Sequence, residues 1–159
     1  MTIIKFDTNI DVNNITHVEN NGCIQIKYSN DNLILETCLL SVQSINKQNN
    51  LSIVCSFNER SEYNKAFLNK ILQIEDKFRT FNDKQLTRCI NRQDNIYYIN
   101  LTANKDTLFF NKYKKQVSGD NIFINAIVKC LLEINYVDIS DETMSYELYI
   151  KQILIGNSL

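Results

Sequence analysis

One stretch of this chain repeats its apolar residues at helical spacing, and the rest alternates as strands do. Tyr63, Phe67, Ile71, Ile74 and Phe78 fall three or four apart, with Leu68 and Leu72 widening the stripe. Glu62, Lys65, Asn69, Lys70 and Glu75 take the other side. That period predicts one amphipathic helix over about 60–78. Ser61 is placed to cap it, and Glu62 favours its first turn.

Elsewhere the period is two. Ile15–Glu19 and Cys23–Tyr28 flank Asn20-Asn21-Gly22, residues that tolerate the positive φ of a tight hairpin. Leu33–Val42, Leu51–Phe57, Ile96–Thr102, Thr107–Tyr113, Ile122–Ile139 and Ser145–Ile155 are further β-rich runs, and Phe81–Asp94 reads as a polar connection. No repeat and no Gly-, Ser- or Pro-rich linker divides the 159 residues, so 1–159 reads as a single domain. A chain of that length buries about two-thirds of its unfolded surface.

Strands, one long helix, then strands again is the order of a mainly β, OB-fold-like antiparallel barrel. The inserted helix is expected between the third and fourth strands, plugging the open end. A sandwich with a helix on one face is the alternative.

Several chemistries lack their residues. The three glycines, Gly22, Gly119 and Gly156, stand alone, which excludes Rossmann and P-loop phosphate cradles. Cys23, Cys38, Cys55, Cys89 and Cys130 are odd in number, far apart and without paired His. They read as reduced thiols, not a disulfide framework or zinc site. His17, the one histidine, sits in an alternating strand with no nucleophile motif around it. Asp138, Asp141 and Glu142, with Glu133 and Glu147 flanking, form the one acidic cluster. Its three central acids share one turn, whereas a hard cation draws carboxylates from several elements, so it reads as a solvated loop. Neither metal nor cofactor is implied, and no catalytic set is assigned. A metal-dependent nuclease or phosphatase built on the acidic turn is the weakest reading. No apolar run approaches the ~20 residues of a membrane span, and Lys5 and Asp7 come too early for a signal peptide, so the expectation is a cytoplasmic protein without a membrane partner.

Seventeen Lys and Arg against eighteen Asp and Glu give a net charge of −1, which excludes a globally basic coat. The charges are nevertheless segregated. Lys84–Lys115 carries seven cations (Lys84, Arg88, Arg92, Lys105, Lys112, Lys114, Lys115) against two acids, and Gln116 onward carries six acids against two cations. The basic stretch is interleaved with Tyr97, Tyr98, Phe109, Phe110 and Tyr113. Cations that track phosphates and rings that stack on bases are what single-stranded nucleic acid requires. In a strand, Phe109, Asn111 and Tyr113 would share one face and Phe110, Lys112 and Lys114 the other, and only one of Tyr97 and Tyr98 can point inward.

The segment Asn121–Ile134 and the closing Met144–Ile155, joined by the acidic turn, resemble the last hairpin of single-stranded DNA-binding proteins of large cytoplasmic DNA viruses and linear cytoplasmic plasmids. The final strand of that family ends in an apolar-Lys-Gln-apolar pattern, here Tyr149-Ile150-Lys151-Gln152-Ile153. The abundance of Asn, Ile and Lys, with no Pro or Trp, fits an AT-rich genome of that kind. The resemblance implies a barrel closed by this strand.

The leading expectation is a non-catalytic, sequence-tolerant single-stranded DNA-binding protein serving replication of a viral or plasmid genome, with RNA as the other nucleic-acid partner. Arg88, Arg92, Tyr97, Tyr98, Phe110, Lys112, Tyr113, Lys114, Lys115, Tyr149 and Lys151 are the candidate contacts. The alternative is a protein-interaction or self-assembly module whose basic and acidic stretches pair between copies. Cooperative coating of a strand would combine both.

Overall fold

Asn21 and Gly22 have φ of 49° and 80°. These are the two left-handed positions of a two-residue hairpin turn, and they fold β2 (Ile15–Asn20) back onto β3 (Cys23–Tyr28) as expected. The computed structural model describes residues 2–5 and 8–158; Met1, Asp7 and the other positions beyond these, part of the N-terminal reading among them, lie outside the described residues. Before the hairpin comes β1 (Ile3–Ile4). After it follow β4 (Leu33–Glu36), β5 (Leu40–Asn46), β6 (Ser52–Asn58), α1 (Glu62–Arg79), β7 (Gln85–Leu86), β8 (Ile90–Gln93) and β9 (Ile96–Phe110). The chain ends with β10 (Gln116–Val117), β11 (Ala126–Ile134), β12 (Tyr136–Ile139), β13 (Thr143–Tyr146) and β14 (Tyr149–Ser158).

Five of these strands form a ring. β5, β6, β9, β14 and β11 pair in that order, and β11 returns to β5 through Ile127 opposite Ser41 and Val128 opposite Leu40. This is the OB-fold-like barrel. Its pairings are antiparallel except β9 with β14, which run parallel. Two details differ from expectation. The helix leaves after β6 and returns to β9, so it joins the second and third barrel strands, not the third and fourth. The long β runs are also broken. Leu33–Val42 splits at Thr37–Leu39, so β4 and β5 lie end to end along β11. Ile122–Ile139 splits at Asn135, after which β12 and β13 leave the barrel to join a second sheet ordered β2-β3-β12-β13-β7. The polar stretch Phe81–Asp94 contributes two short strands, β7 and β8.

Strict alternation in β11 drives barrel closure: Ala126, Val128, Cys130, Leu132 and Ile134 are buried while Ile127, Lys129, Leu131 and Glu133 face out. In β14, Ile150 and Ile153 are both buried although three apart. A bulge at Lys151 resolves the parity, since Leu132 pairs with Ile150 and Leu131 with Gln152. The apolar-Lys-Gln-apolar pattern is thus the signature of a bulge that keeps two isoleucines in one core. In β9 the excursion is larger. Ala103 pairs with Ile150 and Leu108 with Gln152, so Asn104–Thr107 loops out. Thr107 Oγ1 fastens it, accepting from the Asn104 N–H at 2.9 Å and donating to the Ile150 carbonyl at 2.5 Å.

Helix α1 starts where the sequence places it, Ser61 Oγ accepting the Asn64 N–H at 3.1 Å. Phe67 meets Phe57 of β6 edge-on at 5.5 Å, and Phe78 meets Tyr146 of β13 at 5.3 Å, so the helix ties the barrel to the second sheet. One hydrophobic core runs through all three. The flank that periodicity assigns to solvent is covered, by the second sheet at Glu75 and by the N-terminal segment at Lys70. Lys70 and Glu75 are buried and Tyr63 is exposed, the reverse of the expected faces. Lys70 donates to the Lys5 carbonyl. Glu75 accepts from the Tyr146 hydroxyl at 2.6 Å and lies 3.6 and 3.8 Å from the guanidinium groups of Arg88 and Arg79. The five cysteines are free thiols; Cys38, Cys55 and Cys130 are buried, and burial pushes Cys38 and Cys55 up to about 12. No helix among the described residues is long and apolar enough to cross a membrane.

Candidate nucleic-acid interface

The strand expected over Thr107–Tyr113 ends at Phe110, because the chain turns there. Asn111 builds the turn. Its backbone N–H donates to the Lys115 carbonyl at 2.9 Å, and its side-chain oxygen accepts the N–H groups of Tyr113 at 2.9 Å and Lys115 at 3.1 Å. Lys114 closes the loop in the left-handed region, at φ 63°. A three-residue loop ending in such a residue is a common hairpin connection. β10 then returns along β9, Gln116 opposite Phe110. The loop therefore projects Lys112, Tyr113, Lys114 and Lys115 together into solvent. Tyr113 is 71% exposed, and the Lys112 ammonium sits 5.1 Å from the centre of its ring. The expected sharing of faces between Phe109, Asn111 and Tyr113 is lost, since only Phe109 belongs to the strand.

Below this loop the outer face of β9, β14 and β11 forms a groove of about 310 Å³. Phe110, Leu154 and Lys129 lie in one row across three strands, and Gln152, Leu131 and Glu36 lie in the next. Phe110, Leu131 and Leu154 are half-buried and make an apolar floor, with Lys114 and Lys129 at its edges. Lys129, Leu131 and Leu154 were not among the sequence candidates. Their only signal was alternation: each is the outward member of a strand whose inward members form the core.

Lys129 is held by Glu36 at 2.5 Å, so a phosphate entering the groove competes with that carboxylate. Glu36→Gln is accordingly expected to tighten single-stranded DNA binding by about threefold to tenfold at low salt, and to steepen the salt dependence by releasing one cation. Titration of the variant at two salt concentrations checks this. Unchanged or weaker binding would place Lys129 outside the path.

The other candidates sit elsewhere. Tyr97 points inward, stacked on Phe57 at 5.5 Å and under Arg92 at 5.7 Å, so it caps the core beside α1. Tyr98 points outward, opposite Ser56 and Asn91. It stands at the far end of β9 from Phe110, on the other side of the Asn104–Thr107 loop. Arg92 donates to the Asp94 carbonyl at 2.9 Å, and Arg88 faces the buried Glu75. Lys151 pairs with Glu133 at 3.3 Å. Tyr149 is pushed up to about 12 by its hydrogen bond to Glu147, by burial and by the charges of Glu147 and Asp138. The structure thus gathers Phe110, Lys112, Tyr113, Lys114 and Lys115 into one site. It leaves Arg88, Arg92, Tyr97 and Tyr98 at the other end of β9, and Tyr149 and Lys151 among acids.

The fold has solved counterparts. No protein-family model matches the sequence, and no curated protein does. Among solved structures, the C-terminally truncated single-stranded DNA-binding protein from bacteriophage Enc34 superposes with a TM-score of 0.62 at 8% identity, over 91% of this chain and 95% of that one. The structure of gp2.5, a single-stranded DNA binding protein encoded by bacteriophage T7, gives 0.60 at 7% identity, over 79% and 92%. The Enc34 protein in complex with single-stranded DNA gives 0.56 at 6% identity, over 91% and 96%. At such identities the likeness is one of fold, and the neighbours reported are phage proteins. Among the described residues no cluster of His, Cys, Asp and Glu could hold a metal ion. The acidic turn is instead tied by Ser140, whose Oγ contacts the Thr143 hydroxyl at 2.8 Å.

Proposed function

We propose that this chain is a non-catalytic, sequence-tolerant single-stranded DNA-binding protein, acting as one unit over 1–159. The observation that carries the reading is the groove of Phe110, Leu131 and Leu154 between Lys114 and Lys129, which Lys114 enters from the Lys112–Lys115 hairpin. Every base offers a π-face and an edge that an apolar floor can cover, whereas phosphates demand cations spaced along the rim. No carboxylate or amide array faces the floor to read base identity beyond Gln152 and the paired Glu36, so the site favours tolerance over sequence selection. The fold neighbours support the same ligand class. Service in replication of an AT-rich viral or plasmid genome is part of the proposal. It rests on composition and on the resemblance of the closing strands.

The test is fluorescence anisotropy with labelled single-stranded DNA, duplex DNA and single-stranded RNA at about 50 and 200 mM salt. Tight, salt-sensitive binding to single strands over duplex is expected; indifference to all three overturns the reading. Phe110→Ala should weaken single-stranded DNA binding by about tenfold without changing the salt slope, because stacking releases no counterion. Unchanged affinity at both salt concentrations would remove Phe110 from the floor.

A further inference from the structure

We infer that the strand of DNA does not end at Lys129 but continues to a second stacking station formed by Leu39 and Tyr63. This deepens the proposed single-stranded DNA binding and rests on it. Because β4 and β5 lie end to end along β11, the three residues between them bulge out beside Lys129 and Cys130. Thr37 anchors the bulge, its N–H donating to the Cys130 carbonyl at 2.9 Å and its hydroxyl accepting the Cys130 N–H at 3.0 Å. Leu39 is left 62% exposed.

The first turn of α1 faces this bulge. Asn64 ties the helix start to the barrel by donating to the Asn58 carbonyl at 2.7 Å, and Tyr63 is turned away from the core, 60% exposed. Leu39, Tyr63, Asn64, Cys38 and Lys129 line a cavity of about 440 Å³. Lys129 also lines the groove under Phe110, so one ammonium stands between two apolar recesses. An alternation of ring, cation, ring is the pattern of a nucleotide chain: base, phosphate, base. An apolar protein segment would not need the lysine. A phosphate at Lys129, displacing Glu36, sits between one base over Phe110 and Leu154 and another against Tyr63 and Leu39.

The test compares oligothymidylates of about five and about fifteen nucleotides on wild type and Tyr63→Ala. The short strand should bind both proteins equally, because the first groove suffices for it. The longer strand should lose about tenfold in affinity on the variant, and Tyr63→Phe should restore it, since the ring and not the hydroxyl stacks. Equal loss for both lengths, or no loss for either, overturns a separate station. If wild type binds neither strand, the parent reading fails as well, and the two failures are thereby told apart. The melting temperature of Tyr63→Ala is measured alongside, with Tyr63→Phe as the variant that keeps the ring. A lowered one, with Tyr63→Phe failing to restore the longer strand, assigns the ring a structural role and also overturns the inference.

Discussion

Replacing Lys112, Lys114 and Lys115 together by alanine is expected to weaken single-stranded DNA binding several hundredfold at about 50 mM salt but only about thirtyfold at 200 mM. The difference follows from counterion release. Each phosphate contact on a single strand contributes about 0.7 to the slope of log affinity against log salt, so three lysines account for about two. The hairpin justifies treating them as a group, since Asn111 fixes three residues of the loop and holds the cations on one tip. Titrations at three or more salt concentrations measure the slope directly. A loss of affinity with parallel slopes would mean that the variant disturbs the loop and not its charge. In that case the Asn111 hydrogen bonds that hold the loop become the next object of study.

Tyr146→Phe is expected to lower stability by about 3 kcal/mol, although it keeps the ring that packs on Phe78. The reason is the partner it abandons. Glu75 is a buried carboxylate whose second oxygen, Oε2, has no hydrogen bond, and the two guanidinium groups approach only to 3.6 and 3.8 Å. Without the 2.6 Å bond from Tyr146 the charge is left with distant partners alone, and the Cys89 thiol, 2.9 Å from the same hydroxyl, loses its acceptor. For a chain of 159 residues the change corresponds to a fall of about 6–12 °C in Tm. Adding Glu75→Gln should recover part of the loss, because the two sites share one interaction. A cost below about 1 kcal/mol by denaturant titration would show that the arginines alone hold the carboxylate.

Most of the architecture could be read from local chemistry. Ser61 marks the helix start, Asn21-Gly22 marks the hairpin, and the alternating runs mark the barrel. What could not be read was set by contacts between distant segments. The period placed Glu75 and Lys70 toward water because nothing in the sequence announces that β13 returns over Glu75 and that the N-terminal segment meets Lys70. Arg88, which follows β7, is taken into partnership with Glu75. Parity misled at the β14 bulge as well, since the extra residue at Lys151 does not break the composition of its strand, whereas the polar Asn104–Asp106 does mark a gap between two β runs. At the candidate site the hairpin residues stood out because charge and aromatics were adjacent in sequence. Lys129, Leu131 and Leu154 did not, because a groove across three strands assembles from residues that alternate with core positions in each.

The ring has a further consequence for how the chain comes to be protected. Its closing contact joins Leu40 to Val128, and its parallel pair needs β14, the final strand. During synthesis β5 and β6 emerge early as a hairpin with open edges and must wait for β11 and β14 before those edges are sealed. Native pairing of this kind is long-range, which makes folding slow relative to helical proteins of similar size. The vulnerable species is therefore the nascent chain lacking its last strands. Truncation at the C-terminal end would expose the apolar barrel interior as well as remove one wall of the groove.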